Sequence, residues 1–201
     1  MLPKSLENTI EALSHLPGVG PRTAERYAYY LFKSNQQISS NIASALENLH
    51  DGVKTCPITF ALIDANDKVS SFYDDPSRDK TTVLVVEEPL DIYAIEQTHQ
   101  YKGTYHVLGG AISPIDGITA DQLHIKELVS RVDKDKVKEV IVATNPSVEG
   151  ESTALLIQKT LLENHPKLKI TRLARGLPLG VDLGYADQIT LSAALNNRTD
   201  L

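Results

Sequence analysis

The stretch Ile141-Val142-Ala143-Thr144-Asn145-Pro146-Ser147-Val148-Glu149-Gly150-Glu151 decides how this chain is read. A β-branched run ends in a polar turn, and the residues beyond it carry Leu155, Leu156 and Leu162 at helical spacing. A strand that passes into a helix through a short polar turn is where α/β domains place their ligand sites. The turn itself is unusual for metal-dependent chemistry, because Asn145 and Ser147 stand where Mg²⁺ ligation calls for carboxylates.

Outward from the turn, strand and helix signals alternate. Thr82-Val83-Leu84-Val85-Val86 is a near-continuous apolar run, as in a strand covered on both faces, and Glu87-Glu88-Pro89 ends it. A helix is expected around Ile92 to Glu96, a second strand at 105–108 leading to Gly109-Gly110, and a helix on Leu123, Ile125, Leu128, Val129 and Val132. A third strand covers 139–143, a fourth 169–174, and a last helix 185–195. This alternation predicts an α/β domain with a parallel sheet and flanking helices. His106, inside the second strand, reads as a core histidine with its hydrogen bonds made.

A chain of 201 residues accommodates one such domain and a smaller module. Its composition, 41% hydrophobic and 23% charged, is that of a globular protein, and no apolar run is long enough to cross a bilayer. The stretch Met1-Leu2-Pro3-Lys4-Ser5 lacks the apolar core of a secretion signal, so a cytoplasmic protein with no membrane partner is expected. The single cysteine, Cys56, excludes an internal disulfide. A net charge of −6 argues against a surface that attracts nucleic acid everywhere, so any such binding has to come from a local patch.

The N-terminal 53 residues provide one. Leu2, Leu6, Ile10, Leu13 and Leu16 mark one helix face; Ala24, Tyr27, Ala28 and Leu31 mark a second; Ile38, Ile42, Leu46 and Leu49 mark a third. Between the first two lies Leu16-Pro17-Gly18-Val19-Gly20-Pro21-Arg22-Thr23-Ala24-Glu25-Arg26, which resembles the helix-hairpin-helix motif of DNA repair and recombination proteins. Gly18 and Gly20 let backbone N–H groups approach a phosphate, and the helix that follows adds its own free N–H groups. Arg22 and Arg26, four residues apart, point to one side, and from Leu16 to Lys33 three cations face one carboxylate, a local balance of +2. The same pattern also reads as an ordinary αα-hairpin with two solvated arginines. Likewise Lys167, Lys169, Arg172 and Arg175 read either as a solvated strand edge or as part of a DNA-facing surface.

Residues 54–79 join the two parts. Short strands are expected at Phe60-Ala61-Leu62-Ile63 and Val69-Ser70-Ser71-Phe72-Tyr73, with a turn at Asp64-Ala65-Asn66-Asp67.

The whole chain resembles the RecR family of bacterial recombination mediators. The resemblance rests on the hairpin, on Glu87-Glu88-Pro89, on Tyr101-Lys102-Gly103-Thr104-Tyr105-His106-Val107-Leu108-Gly109-Gly110-Ala111-Ile112-Ser113-Pro114-Ile115-Asp116-Gly117-Ile118, on 143–151, and on Thr171-Arg172-Leu173-Ala174-Arg175-Gly176-Leu177-Pro178-Leu179-Gly180. It implies a helix-hairpin-helix module for DNA binding and oligomerisation at 1–53, a zinc-finger segment at 54–79, a Toprim domain at 80–175, and a Walker-B-like segment with an oligomerisation helix at 176–201. In the catalytic Toprim members a glutamate after the first strand and an Asp-x-Asp pair after the third hold Mg²⁺. Glu87 fits the first position, whereas Asn145-Pro146-Ser147 replaces the pair, so no enzyme is expected; the alternative is a metal-dependent Toprim nuclease or topoisomerase-like enzyme improvising a site from Glu87, Glu149 and Glu151. The same three glutamates are expected to dock a basic partner. No Walker A sequence is present, which speaks against ATP hydrolysis.

The family's four zinc-ligand positions fall on Cys56, Thr59, Ser70 and Tyr73. One thiol and three hydroxyls do not make a structural zinc site, so no cofactor is expected and an apolar cluster of Ile58, Phe60, Leu62, Val69, Phe72 and Tyr73 is expected to hold the segment instead. As partners the resemblance implies DNA, single- or double-stranded and at junctions, bound without regard to sequence. It further implies RecO and RecF directly, RecA and single-strand-binding protein indirectly, assembly into a homo-oligomeric, tetrameric ring, and a place at the nucleoid.

Overall fold

The structure, a computed structural model, describes residues 2–198. The chain divides into two compact units, one made of 1–54 with 64–66, the other of 55–63 with 67–201. No helix among the described residues is long and apolar enough to cross a membrane.

The first unit is helical. Helix α1 (Lys4–Ser14) ends on His15, and Gly18 at φ +77° turns the chain so that Val19 N–H reaches the Leu16 carbonyl at 3.0 Å. Helix α2 (Pro21–Lys33) then starts with proline at its first position, where no intrahelical N–H is needed. Its small Ala24 and Ala28 are the residues it buries. Helix α3 (Gln36–Gly52) is capped by Asn35, whose side chain accepts from Gln37 N–H, and it buries no side chain within the unit. Ile42, Leu46 and Leu49 therefore remain exposed along it.

A two-stranded sheet pairs β1 (Val53–Thr55) with β2 (Leu62–Asp64). The hairpin expected from the sequence is displaced, because Val69 to Tyr73 does not form a strand. Ser70 accepts Phe72 N–H and opens the short helix α4 (Ser71–Asp74). Inward and outward positions are also offset by one residue from expectation: Ala61 and Ile63 are buried while Leu62 faces outward, as a period of two demands once the register moves.

The second unit is built on four parallel strands, β3 (Asp79–Val86), β4 (Gly103–Val107), β5 (Glu139–Val142) and β6 (Lys169–Arg172), in the order β4-β3-β5-β6. The crossovers carry α5 (Pro89–Glu96), α6 (Ile125–Asp135) and α7 (Val148–Asn164). One face, with Val83, Val85, Val140 and Val142, is covered by Leu128, Val132, Ile157 and Leu161 of α6 and α7. The other, with Leu84, Val86, Tyr105 and Val107, is covered by Ile92 of α5 and by Ala61, Phe60 and Phe72. Both faces are closed, which is why these strands read as unbroken apolar runs. The expected last helix begins three residues late: Leu183–Tyr185 is a 3₁₀ turn, and α8 (Gln188–Asn196) starts where Asp187 accepts Thr190 N–H. The final three residues of the expected C-terminal segment lie outside the described ones.

Candidate functional site

Strand order reverses between β3 and β5, so the ends of these two strands form the crevice in which an open α/β sheet binds its ligands. Glu87 follows β3 directly. Its backbone carbonyl accepts N–H groups from both Gly109 and Gly110 at 3.0 Å, and these glycines hold φ +85° and +135°, so they wrap closely around the end of the strand. The Glu87 side chain is 7% exposed. Its Oε1 accepts the Asn145 backbone N–H at 2.9 Å and its Oε2 accepts the Asn145 side-chain amide at 2.5 Å. A carboxylate only accepts, so the amide nitrogen of Asn145 must face it.

Ser147 is the N-cap of α7, with its hydroxyl accepting Gly150 N–H at 3.0 Å. Gly150 is packed so tightly that a Cβ there would lie 2.1 Å from the Asn145 carbonyl oxygen and 2.8 Å from Glu87 Oε1. Thr153, one turn further, donates to the Glu149 carbonyl and accepts Ile112 N–H, fixing the loop after β4 to the helix. The positions that would carry an acidic pair thus supply an amide donor and a helix cap. Both oxygens of Glu87 are satisfied from within the chain, and the residues present do not fit Mg²⁺, which requires several oxygen ligands.

The three glutamates expected to dock a partner do not form one acidic surface. Glu87 is buried and bonded to Asn145. Glu151 is ion-paired with Arg172 at 2.8 Å and with Arg175, and these guanidiniums hold its carboxyl below the usual range, Arg175 most strongly. Glu149 has neither a cation partner nor a side-chain hydrogen bond among the described residues. The same pairs resolve the basic run: Lys169 bonds Glu139 at 3.0 Å, Arg172 and Arg175 bond Glu151, and Lys167 is left over.

In the first unit Gly18, Gly20, Arg22 and Arg26 are all exposed around the turn into α2, and Arg26 leans on the Tyr27 ring at 5.6 Å. Thr23 and Ala24 N–H both bond the Gly20 carbonyl at 3.0 Å, so the turn is held by its own backbone while both guanidiniums remain in solvent.

The four positions matching zinc ligands do gather in part. Cys56 is fully buried, and its sulfur accepts N–H groups from Ser70 at 3.3 Å and Thr59 at 3.5 Å. Burial pushes the thiol pKa up, but hydrogen bonds from Thr59, Ile58 and Ser70 outweigh it and the net direction is down. Thr59 and Ser70 are buried, yet Thr59 Oγ1 is committed to Ala61 N–H and Ser70 Oγ to Phe72 N–H. The Tyr73 hydroxyl points elsewhere, donating to Asp135 on α6 at 2.9 Å. A single thiol with three hydroxyls, one of them turned away toward Asp135, does not fit zinc.

Sequence reasoning missed what holds this segment in place, which is polar rather than only apolar. Asp135 pairs with buried Arg131 at 3.0 Å, and Arg131 in turn donates to the Tyr105 carbonyl and to Thr104 Oγ1. The Thr59 carbonyl accepts Val107 N–H at 2.8 Å. The free edge of β4 is thereby covered, one N–H and one carbonyl at a time. The i, i+4 spacing of Arg131 and Asp135 was the only visible signal. His106 lies beneath, its Nε2 donating to the His124 carbonyl at 2.7 Å while Nδ1 has no partner, so its hydrogen bonding is half made rather than complete. Burial lowers its pKa to about 3.

Comparison with known proteins finds three family models along the chain. The RecR helix-hairpin-helix model matches 6–50, the Toprim domain model 81–174 and the RecR C-terminal model 176–199. The recombination protein RecR of Moorella thermoacetica is 47% identical over 199 residues, covering 99% of this chain and 98% of that one. Its counterpart in Rippkaea orientalis is 46% identical over 196 residues, with coverage of 98% and 97%, and that in Nocardia farcinica 42% over 200, with 98% of each.

Proposed function

This chain belongs to the RecR family of recombination proteins, and from that premise we propose that it holds DNA without reading its sequence and acts as a recombination mediator rather than an enzyme. The observation that carries the reading is the closure of Glu87 by Asn145 at the sheet's switch point, which removes the metal site that phosphodiester chemistry on this fold would use. What remains for DNA is the hairpin: exposed N–H groups and two solvated guanidiniums at a helix N-terminus contact phosphates and not bases.

In this reading the chain assembles into a ring, for which a tetramer is the expected size. The uncovered apolar face of α3 supports such assembly, since Leu46 is 62% exposed and helices of single-domain proteins bury such a stripe. A ring brings several +2 patches together, so a subunit of net charge −6 can still bind a polyanion. RecO and RecF are the proposed direct partners, in the repair of gapped DNA and the loading of RecA past single-strand-binding protein. Glu149, beside the 80% exposed Val148, is the proposed contact for a basic surface of RecO. The finger segment is proposed to work without zinc.

The test is a plasmid incubated with the protein and Mg²⁺ or Mn²⁺, run beside binding to duplexes of unrelated sequence. Intact plasmid and equal affinities are expected. Metal-dependent cleavage that Glu87→Ala abolishes would instead establish a Toprim nuclease.

A further inference from the structure

The connection from α6 to β5 is Lys136-Val137-Lys138. Lys136 ends α6 in the left-handed region at φ +54°, and Val137 is buried, with its N–H on the Val132 carbonyl at 3.0 Å. Lys138 N–H bonds the Thr81 carbonyl at 2.7 Å. The backbone is therefore fixed, and the two lysines flank a buried residue with their amines outward. The connection from α7 to β6 is also fixed, by His165 N–H on the Leu161 carbonyl at 2.7 Å and Leu168 N–H on the His165 carbonyl at 3.0 Å. It presents Lys167, the one member of the basic run that is not ion-paired among the described residues.

These connections meet in a cleft of about 650 Å³ whose lining includes Lys136, Lys138, Lys167, Asp133 and His165. It lies where β5 and β6 begin, at the opposite end of the sheet from Glu87 and Asn145. Elsewhere in this unit Arg78 is matched to Glu96, Arg131 to Asp135, and Arg172 and Arg175 to Glu151. In the cleft, Asp133 faces His165 at 3.5 Å, and among the described residues no carboxylate lies within ion-pair distance of any of the three lysines. Three amines from two rigid connections thus share one concave surface with a single lining carboxylate, Asp133, which leaves a local excess of positive charge in a chain of net negative charge. Each ammonium is a compact donor without acceptor capacity, which suits phosphate oxygens. All three are exposed, so each adds little grip on a lone anion, whereas a polymer of phosphates engages them together.

We infer that this cleft is a second nucleic-acid contact, which binds the phosphodiester backbone through Lys136, Lys138 and Lys167. The inference rests on the DNA-holding reading but uses none of the hairpin's residues.

The experiment compares full-length wild type, the triple variant Lys136→Ala/Lys138→Ala/Lys167→Ala, and Arg22→Ala/Arg26→Ala, by fluorescence anisotropy on single-stranded and duplex DNA across a salt series. The triple variant is expected to lose about two to three units of the salt slope on duplex, one contact per lysine, and to bind roughly tenfold more weakly at low salt, with an unchanged melting temperature. In parallel, lysine acetylation read by mass spectrometry is expected to show the three amines protected by DNA, in the arginine variant as well as in wild type. Protection that persists after the hairpin arginines prove neutral would leave the cleft standing and remove the hairpin. Equal affinity and slope in the triple variant, with the lysines acetylated freely in the presence of DNA, would overturn the inference. Equal protection by inorganic phosphate alone would overturn it too, reassigning the cleft to the free anion.

Discussion

Glu87 and Asn145, 58 residues apart in sequence, are joined by two hydrogen bonds that consume both oxygens of a buried carboxylate. A polar turn at a ligand-binding position has in this way become a closed structural joint. Asn145→Asp is expected to set two carboxylates against one another and cost about 2–3 kcal/mol, the scale of a lost charged hydrogen bond. Thermal melts with and without Mg²⁺ check this, since the divalent ion is expected to recover part of the loss in the variant and to leave wild type unaltered. A variant as stable as wild type without Mg²⁺ would show that the joint carries no weight.

Gly150 sits where a Cβ would meet the Asn145 carbonyl oxygen at 2.1 Å, and a backbone atom of a strand-to-helix turn has little room to yield. Gly150→Ala, though it favours helix intrinsically, is expected to destabilise the protein by roughly 2 kcal/mol or more through this overlap. Denaturant unfolding measures the loss; a stabilised variant would mean that the turn relaxes freely.

The finger segment is held by Tyr73, Asp135 and Arg131 in series. Tyr73→Phe leaves Asp135, 5% exposed, short of one donor and is expected to cost about 1–2 kcal/mol. Elemental analysis of purified protein is expected to find zinc far below one per chain, and a chelator is expected to leave the melting temperature unmoved. Stoichiometric zinc, or a melting temperature that chelation lowers, would overturn the metal-free account.

His106 is buried in its neutral form, with a folded pKa of about 3 against roughly 6.5 when unfolded. Because the folded value is the lower one, the unfolded chain takes up the proton first as pH falls. The contribution of this group is complete above pH ~6.5 and is lost progressively from there down to the folded value, about 2 kcal/mol by pH ~5. Stability measured from pH 7 to 5 in wild type and His106→Gln checks the sign, since the variant is expected to lose less over that interval.

The parallel sheet was legible because both of its faces are covered, which writes each strand as an apolar run such as Thr82 to Val86. The hairpin was legible because Gly18 and Pro21 occupy positions with backbone reasons of their own. The finger was misread: three-residue strands such as Val53–Thr55 show no alternation, and a strand-like composition at 69–73 yields to the cap supplied by Ser70. Charge was the least legible property. Whether Arg172 and Arg175 are free depends on Glu151, 21 and 24 residues away, and the grouping of Lys167 with Lys136 and Lys138 depends on two loops meeting at one end of the sheet.

The most direct measurement is the salt dependence of DNA binding by the assembled protein with Arg22→Ala and Arg26→Ala. Binding is expected to weaken equally on unrelated sequences, and the slope of log affinity against log salt is expected to fall by about two units per subunit engaged on duplex, one for each phosphate contact removed. Affinity and slope equal to wild type would contradict the claim that this chain holds DNA through its hairpin.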